Sequence, residues 1–213
     1  MLGLPQELSR KIVISTDINE QMAGEIVGHI MEINDEDYER GQALKSYQPE
    51  PIEMFINSPG GNVTDGFAII DAMELSDTPI VTYGMGQVGS MALAIFASGD
   101  IRISTRHTRF MYHNISYGMM GHIEDHVNQM DEAELIQRMY NAVMFERTKF
   151  TEEKLADIRK QKKDFFFSPK QAIKFGVVDE IMEPSEKKFM KEADLEKIQA
   201  EEAVANIAKE IAE

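Results

Sequence analysis

No cysteine occurs among the 213 residues, which excludes both a disulfide framework and thiolate chemistry. No apolar run is long enough to cross a bilayer. The start, Met1 to Lys11, has neither the basic stretch nor the long apolar core of a secretory leader. Basic side chains are in deficit: 22 Lys and Arg stand against 37 Asp and Glu, a formal charge of −15. A surface of that sign repels phosphate backbones and argues against a nucleic-acid partner. There is no internal repeat. These absences together point to a soluble, cytoplasmic protein. What is present suits that class. The chain is long enough for one α/β domain with its own core, and 43% of it is hydrophobic, ordinary for a globular protein. The 15 Met residues read by default as core filler.

Hydrophobic periodicity divides the chain into alternating strands and helices. Ile12-Val-Ile-Ser-Thr is a first strand. Residues 18–33 read as a helix with Met22, Ile26, Ile30 and Ile33 on one face, and the polar, acidic stretch 34–50 as a surface loop. Ile52 to Asn57 is a second strand, ended by Ser58-Pro59-Gly60-Gly61. A helix over 64–76 has Thr64 as its N-cap and Phe67, Ile70 and Met73 inward. Pro79-Ile-Val-Thr-Tyr is a third strand, followed by a glycine-rich turn and an apolar helix from about Ser90 to Ala97. Ile101-Arg-Ile-Ser and Phe110-Met-Tyr are short strands. A long helix over 122–149 carries Ile123, Val127, Met130, Ile136, Met139 and Val143. Thr151 caps a short helix, Ser168-Pro169 opens another, and Gly176 ends it before a last strand begun by Val177-Val178. A charged tail over 185–213 has Val204, Ile207, Ala208 and Ile211 at helical spacing. Strand, turn and helix in repetition imply a mostly parallel sheet with right-handed crossovers, and chemistry at the carboxyl ends of its strands.

Both glycine-rich segments sit at such ends. Gly60-Gly61 lets the backbone come close to a ligand with its N–H groups aimed at it, or is simply a tight turn. Gly84-Met-Gly86-Gln-Val-Gly89 matches the letters of a dinucleotide-binding fingerprint. It lacks the acidic residue that should follow the next strand, where Arg102, Ser104, Thr105 and Arg106 stand instead. The other reading makes Ser90 a nucleophile, exposed where a sharp turn opens an apolar helix whose free N–H groups can hold an oxyanion. Against it stands a plain N-cap serine, so partners decide.

A serine nucleophile needs a base, and the base an orienting group. Of the five histidines, His113 ends a strand next to where Ser90 should emerge. His107 lies in a polar turn and reads as solvated. His29 has no evident partner. His122 and His126 are four apart with Glu124 and Asp125 between them, but position 123 is Ile, so the zinc-protease pattern fails, and no third ligand is evident. Asp164, between Lys160-Gln-Lys-Lys and Phe165-Phe-Phe, sits at a surface-to-core boundary and suits an aspartate that holds an imidazole. It is equally readable as a solvated loop residue, and Asp179 competes with it.

Phe55-Ile-Asn-Ser-Pro-Gly-Gly61, Gly86-Gln-Val-Gly-Ser90-Met, Met111-Tyr-His113 and Lys163-Asp164-Phe-Phe-Phe-Ser168 occur in this order. Together they resemble the signature segments of the Clp protease proteolytic-subunit family, and Ala172-Ile-Lys-Phe-Gly-Val-Val-Asp-Glu-Ile181 resembles the family's ending. The resemblance spans about residues 12–183, and segments in order at matching gaps are far more specific than any one of them. It implies an α/β, crotonase-like spiral of ββα units, with a protruding strand–helix handle over about 114–149 in a peptidase domain of residues 1–184. It implies a serine endopeptidase with Ser90, His113 and Asp164 as triad, the N–H groups of Gly61 and Met91 as oxyanion hole, and no metal or small cofactor. It further implies a homo-oligomer of two stacked heptameric rings around a closed chamber, a polypeptide substrate, and an AAA+ unfoldase ATPase as partner.

Some features depart from the family pattern. Only a short segment precedes the first strand, the stretch 34–50 is longer than usual, the Ser90-to-His113 gap is slightly short, and the tail 185–213 has no counterpart. These leave as alternatives a phage-type relative that matures capsid or scaffold proteins without an unfoldase, and a non-catalytic ring subunit. An acyl-CoA-handling crotonase enzyme shares the fold but has no use for this Ser/His/Asp set.

Overall fold

Short runs of isoleucine, valine and aromatics become strands, and in the first two, over residues 11–14 and 52–58, the hidden positions repeat every second residue as a pleated strand requires. In the computed structural model, which describes residues 8–116, 118, 123–161 and 163–183, β1 (Lys11–Ile14), β2 (Ile52–Ser58), β3 (Ile80–Gly89), β4 (Ile101–Thr105) and β7 (Glu180–Met182) form a parallel path in the order β1-β2-β3-β4-β7. β5 (Arg109–Tyr112) pairs parallel to the far half of β3, and β6 (Phe165–Phe167) pairs antiparallel to β5. The helices are α1 (Glu20–Ala43), α2 (Val63–Glu74), α3 (Met91–Ala97), α4 (Ile123–Arg147), α5 (Glu152–Gln161) and α6 (Pro169–Lys174). α1 packs on α2, α2 on α3 and α3 on α4. Ile14, Met54, Ile56, Ile80, Ile30 and Ile33 are buried between sheet and helices, each such side chain contributing about 2 kcal/mol. The compact unit that holds these elements ends at Met182. The expected tail 185–213, and Tyr117–Gly121 apart from Gly118, lie outside the described residues.

The alternation of strand and helix and the parallel sheet are as the sequence implies, but several boundaries are not. The third strand does not end at Tyr83; it runs to Gly89 and absorbs the glycine-rich segment. Its register against β2 shifts between the pairs Ile56↔Gly84 and Ser58↔Val88, so Met85 and Gly86 bulge out. Gly86 has φ +55°, and a Cβ there would meet Asn57 Oδ1 at 2.5 Å; that oxygen instead accepts the Gln87 N–H at 3.0 Å. The glycine thus serves a β-bulge, not a dinucleotide's phosphates. The bulge lets β3 leave β4 and run on beside β5.

The stretch 34–50 is not all loop, because α1 continues to Ala43. The inward stripe Ile26, Ile30, Ile33 is followed one turn later by Asp37, which is only 8% exposed. Its carboxylate receives both arms of Arg10 and the hydroxyls of Tyr47 and Thr78. Asn34, on the same stretch, bonds Ser76 and the N–H groups of Asp77 and Thr78. A charge in a core position breaks the hydrophobic pattern without breaking the helix. The N-cap of α2 is Asn62, which accepts the Asp65 N–H at 3.1 Å, not Thr64, whose hydroxyl bonds Asn62 Oδ1. On α4, Tyr140 and Met144 are buried while Val127, Met130 and Met139 are exposed. Val177 and Val178 are buried in a loop, and β7 starts only at Glu180. Thr151 and Ser168 cap α5 and α6 as expected, Ser168 within a capping box, and Gly176 follows α6 at φ +65°.

Burial alone would raise the Asp37 carboxyl, but the hydrogen bonds from Arg10, Thr78 and Tyr47 outweigh it and hold it down at about 2. A depressed carboxyl adds stability that is complete above its unfolded value near pH 4 and is lost as pH falls through about 2, here about 2 kcal/mol. Asp37→Asn leaves the Arg10 guanidinium buried and unpaired and is expected to cost about 3 kcal/mol at neutral pH. It should also flatten the acid side of the stability curve. Urea unfolding at neutral and acid pH measures both, and a wild-type midpoint at neutral pH would show that the cluster does not hold α1 to the N-terminal segment.

Candidate active site

The far half of β3 ends in a sharp corner at Ser90. Its N–H donates to the Met111 carbonyl at 2.9 Å, extending the β3–β5 ladder by one residue. Its φ of +53° is the single positive value of a non-glycine residue among the described residues, a conformation that costs about 1–3 kcal/mol and persists only when the surroundings impose it. α3 begins at once, and every residue from Met91 to Ala97 is buried. Ser90 stands at the N-cap position, yet its side chain makes no capping bond. The hydroxyl turns the other way, 2.7 Å from Nε2 of His113. The plain N-cap reading of Ser90 is therefore set aside.

Strand register puts the neighbours in place. Gly89 pairs with Met111 on β5, and Tyr112 pairs with Phe165 on β6. One step beyond each pair, Ser90, His113 and Asp164 stand at adjacent strand ends. Asp164 Oδ1 lies 4.0 Å from His113 Nδ1, with the imidazole 27% and the carboxylate 54% exposed. That is ion-pair range and longer than a hydrogen bond. A proton on Nδ1, facing the carboxylate, leaves the Nε2 lone pair for the serine hydroxyl. β6 was not foreseen as a strand; Phe165 and Phe167 fasten it by ring contacts with Phe150 and Phe175.

Opposite Ser90 runs Pro59-Gly60-Gly61. Ile18 straps this turn, its N–H donating to the Gly60 carbonyl and its own carbonyl accepting the Asn62 N–H, both at 2.9 Å. The N–H groups of Gly61 and Met91 enter none of the hydrogen bonds formed among the described residues. Gly60 has φ +109°, and a Cβ on it would meet Ser90 Cβ at 2.5 Å and Met91 N at 3.0 Å. Pro59, Gly61, Val63, Ser90, His113 and Ile115 line a groove of about 380 Å³. A hydroxyl bonded to an imidazole, beside unspent N–H donors in an open groove, is an arrangement able to attack a carbonyl and hold the resulting oxyanion.

The other candidates are engaged elsewhere or lie outside. Asp179 forms a two-armed pair with Arg102, whose guanidinium holds that carboxyl below its usual range. It fixes β4 to the chain before β7 and cannot serve His113. His29 bonds the Ser9 carbonyl at 2.6 Å, and His107 is exposed in the β4–β5 turn. His122 and the side chains of His126, Glu124 and Asp125 lie outside the described residues. Two contributors went unforeseen: Tyr140, whose hydroxyl donates to the Ser90 carbonyl at 3.0 Å, and Asn57 at the bulge. Tyr140 was legible only as the i−4 neighbour of apolar Met144.

Residues 6–185 match the family described as Clp protease. The chain is 33% identical over 172 residues to the ATP-dependent Clp protease proteolytic subunit of Pleurastrum terricola, covering 80% of this chain and 82% of that protein. It is 31% identical over 177 residues to the protein of the same name from Deinococcus radiodurans, covering 82% and 80% respectively. For the Chlorella vulgaris protein of that name the identity is 29% over 174 residues, covering 81% of each.

A methyl group at position 60 would press on Ser90 and on the Met91 N–H together. Gly60→Ala is expected to slow the reaction of Ser90 with a fluorophosphonate about a hundredfold, as displacements of an ångström do at such sites, with an unchanged far-ultraviolet spectrum. Labelling at the wild-type rate would show that the turn tolerates a side chain and does not set the position of Ser90.

Proposed function

Because the chain belongs to the Clp protease family, a family of serine endopeptidases, we propose that it cuts peptide bonds with Ser90 as nucleophile, His113 as general base and Asp164 as the orienting carboxylate. The observation that carries this reading is the 2.7 Å contact between the Ser90 hydroxyl and His113 Nε2 at a strained strand–helix corner. In the acylation step Ser90 Oγ attacks the peptide carbonyl carbon while its proton passes to Nε2. The imidazolium then protonates the leaving amine, and an acyl-enzyme ester remains. Water, deprotonated by the same nitrogen, attacks the ester and restores the hydroxyl. Asp164 faces Nδ1, favours the tautomer that leaves Nε2 basic, and stabilises the imidazolium. The N–H groups of Gly61 and Met91 receive the oxyanion, each donor being worth about a hundred- to a thousandfold in rate. This chemistry needs no metal or small cofactor.

An open groove suits an extended polypeptide, so unfolded chains and short peptides are the substrates. Assembly into stacked rings would cover the apolar side chains that a single chain exposes, Val127, Met130, Leu135 and Met139 on α4, and would enclose the groove in a chamber. The relatives' name includes ATP dependence, which supports an AAA+ ATPase partner that feeds unfolded chain. No described helix is long and apolar enough to cross a membrane, and cytoplasmic work fits this partner.

A fluorophosphonate should label the wild-type protein and neither Ser90→Ala nor His113→Ala. Asp164→Asn should lower kcat on a peptide about a thousandfold with KM little changed. Labelling that survives Ser90→Ala removes the nucleophile assignment. Native mass spectrometry tests the assembly, and a stable monomer would overturn the ring.

A further inference from the structure

The middle of α4 touches both sides of the site without lining its groove as a reacting group. Tyr140 is 2% exposed, its ring stacked on that of Tyr112 with centroids 5.5 Å apart. Its hydroxyl donates to the Ser90 carbonyl at 3.0 Å. That carbonyl already accepts the Leu93 N–H at 2.9 Å, so the tyrosine is not needed to satisfy it, and a phenylalanine would fill the same space. What the second bond adds is direction. The Ser90 carbonyl and the Met91 N–H belong to one peptide plane and point to opposite sides of it. A bond that fixes the carbonyl fixes the N–H. Burial raises the phenol well above its ordinary value, so it stays a neutral donor throughout the working pH range.

One turn earlier, the Gln137 side-chain carbonyl accepts the Ile115 N–H at 2.7 Å, two residues past His113. The Gln137 amide donates to Asn141 Oδ1 at 2.9 Å, which also accepts the Tyr112 hydroxyl at 2.7 Å. The residues on both flanks of His113 are thus held by the same stretch of helix that holds Ser90.

We infer that α4 carries two positioning residues: Tyr140, which orients the Ser90–Met91 peptide plane, and Gln137, which fixes the backbone that follows His113. The helix between them is a rigid spacer, so the separation of hydroxyl and imidazole is set on α4 as well as by the strands. The inference rests on the roles proposed above for Ser90, His113 and Met91.

The test uses the full chain in its native assembly. Tyr140→Phe removes one oxygen atom. It is expected to lower kcat on a peptide about tenfold with KM unchanged, and to leave the acid limb of the pH profile in place because His113 is untouched. Fluorophosphonate labelling should reach one equivalent per subunit, as in the wild type, but about tenfold more slowly. Gln137→Leu, which cannot accept from Ile115, should slow labelling to a similar degree, and Gln137→Glu, which can, should recover most of that loss. The Gln137 pair decides the matter for the His113 side whether or not the tyrosine variant assembles. Full labelling at the wild-type rate in Tyr140→Phe and Gln137→Leu overturns the inference. So does a labelled fraction that falls along with Tm while the rate constant holds, since that marks a merely structural role. A wild-type protein that is never labelled at Ser90 overturns the nucleophile assignment and this inference with it.

Discussion

The site depends on one strand lying between two others. β5 is four residues long, yet it pairs with β3 on one side and β6 on the other. Those two registers bring three residues far apart in the chain to adjacent strand ends. A slip by one residue in either ladder would turn the side chains to the opposite face and separate the hydroxyl, the imidazole and the carboxylate. The registers are protected by burial: Phe110, Tyr112 and Phe167 are fully buried, and Phe110 stacks on Phe167 with centroids 5.4 Å apart. Phe165 and Phe167 are therefore the fastener that brings Asp164 within ion-pair range of the imidazole.

β5 can reach the end of β3 only because β3 changes partners along its length. Its first half pairs with β4 and its second with β5, and the bulge at Met85 and Gly86 lies between the two. The conformational freedom of Gly86 and the oxygen of Asn57 make that change cheap enough to occur inside a strand. A feature that mimics a phosphate-binding fingerprint is thus a piece of sheet engineering, and the same bulge places the corner at Ser90 beyond the main sheet, facing an open groove.

How far the sequence reveals this follows from what each residue does. Isoleucine and valine runs mark the strands because burial alone decides them. Ser90, His113 and Asp164 can be picked out because each sits at the end of an apolar run beside glycine or aromatics, and because the motifs occur in order. Their distances cannot be picked out, since these come from cross-strand register, a property of partners and not of the local chain. Asp37 was invisible because a charged residue in a core position reads as the end of a helix unless Arg10, Tyr47 and Thr78 are known to converge on it. Tyr140 was hidden for the converse reason: a buried tyrosine reads as apolar filler, and nothing local tells that its hydroxyl meets a carbonyl many residues away. Which side of α4 meets the core was not legible, because Val127, Met130 and Met139 are apolar yet exposed in the single chain, and periodicity cannot distinguish a face kept for the core from one left open.

The strained corner at Ser90 also explains why so many elements crowd around it. A positive φ on a residue with a side chain costs about 1–3 kcal/mol, and a typical hydrogen bond returns about 1 kcal/mol. Ser90 is held through its N–H by β5, through its carbonyl by the first turn of α3 and by Tyr140 of α4, and through its hydroxyl by His113. No one of these bonds offsets the strain with margin, but together they do. The corner is therefore not a property of the glycine-rich segment that precedes it. It is imposed by three elements that must first be packed, so the geometry at Ser90 exists only in the folded chain.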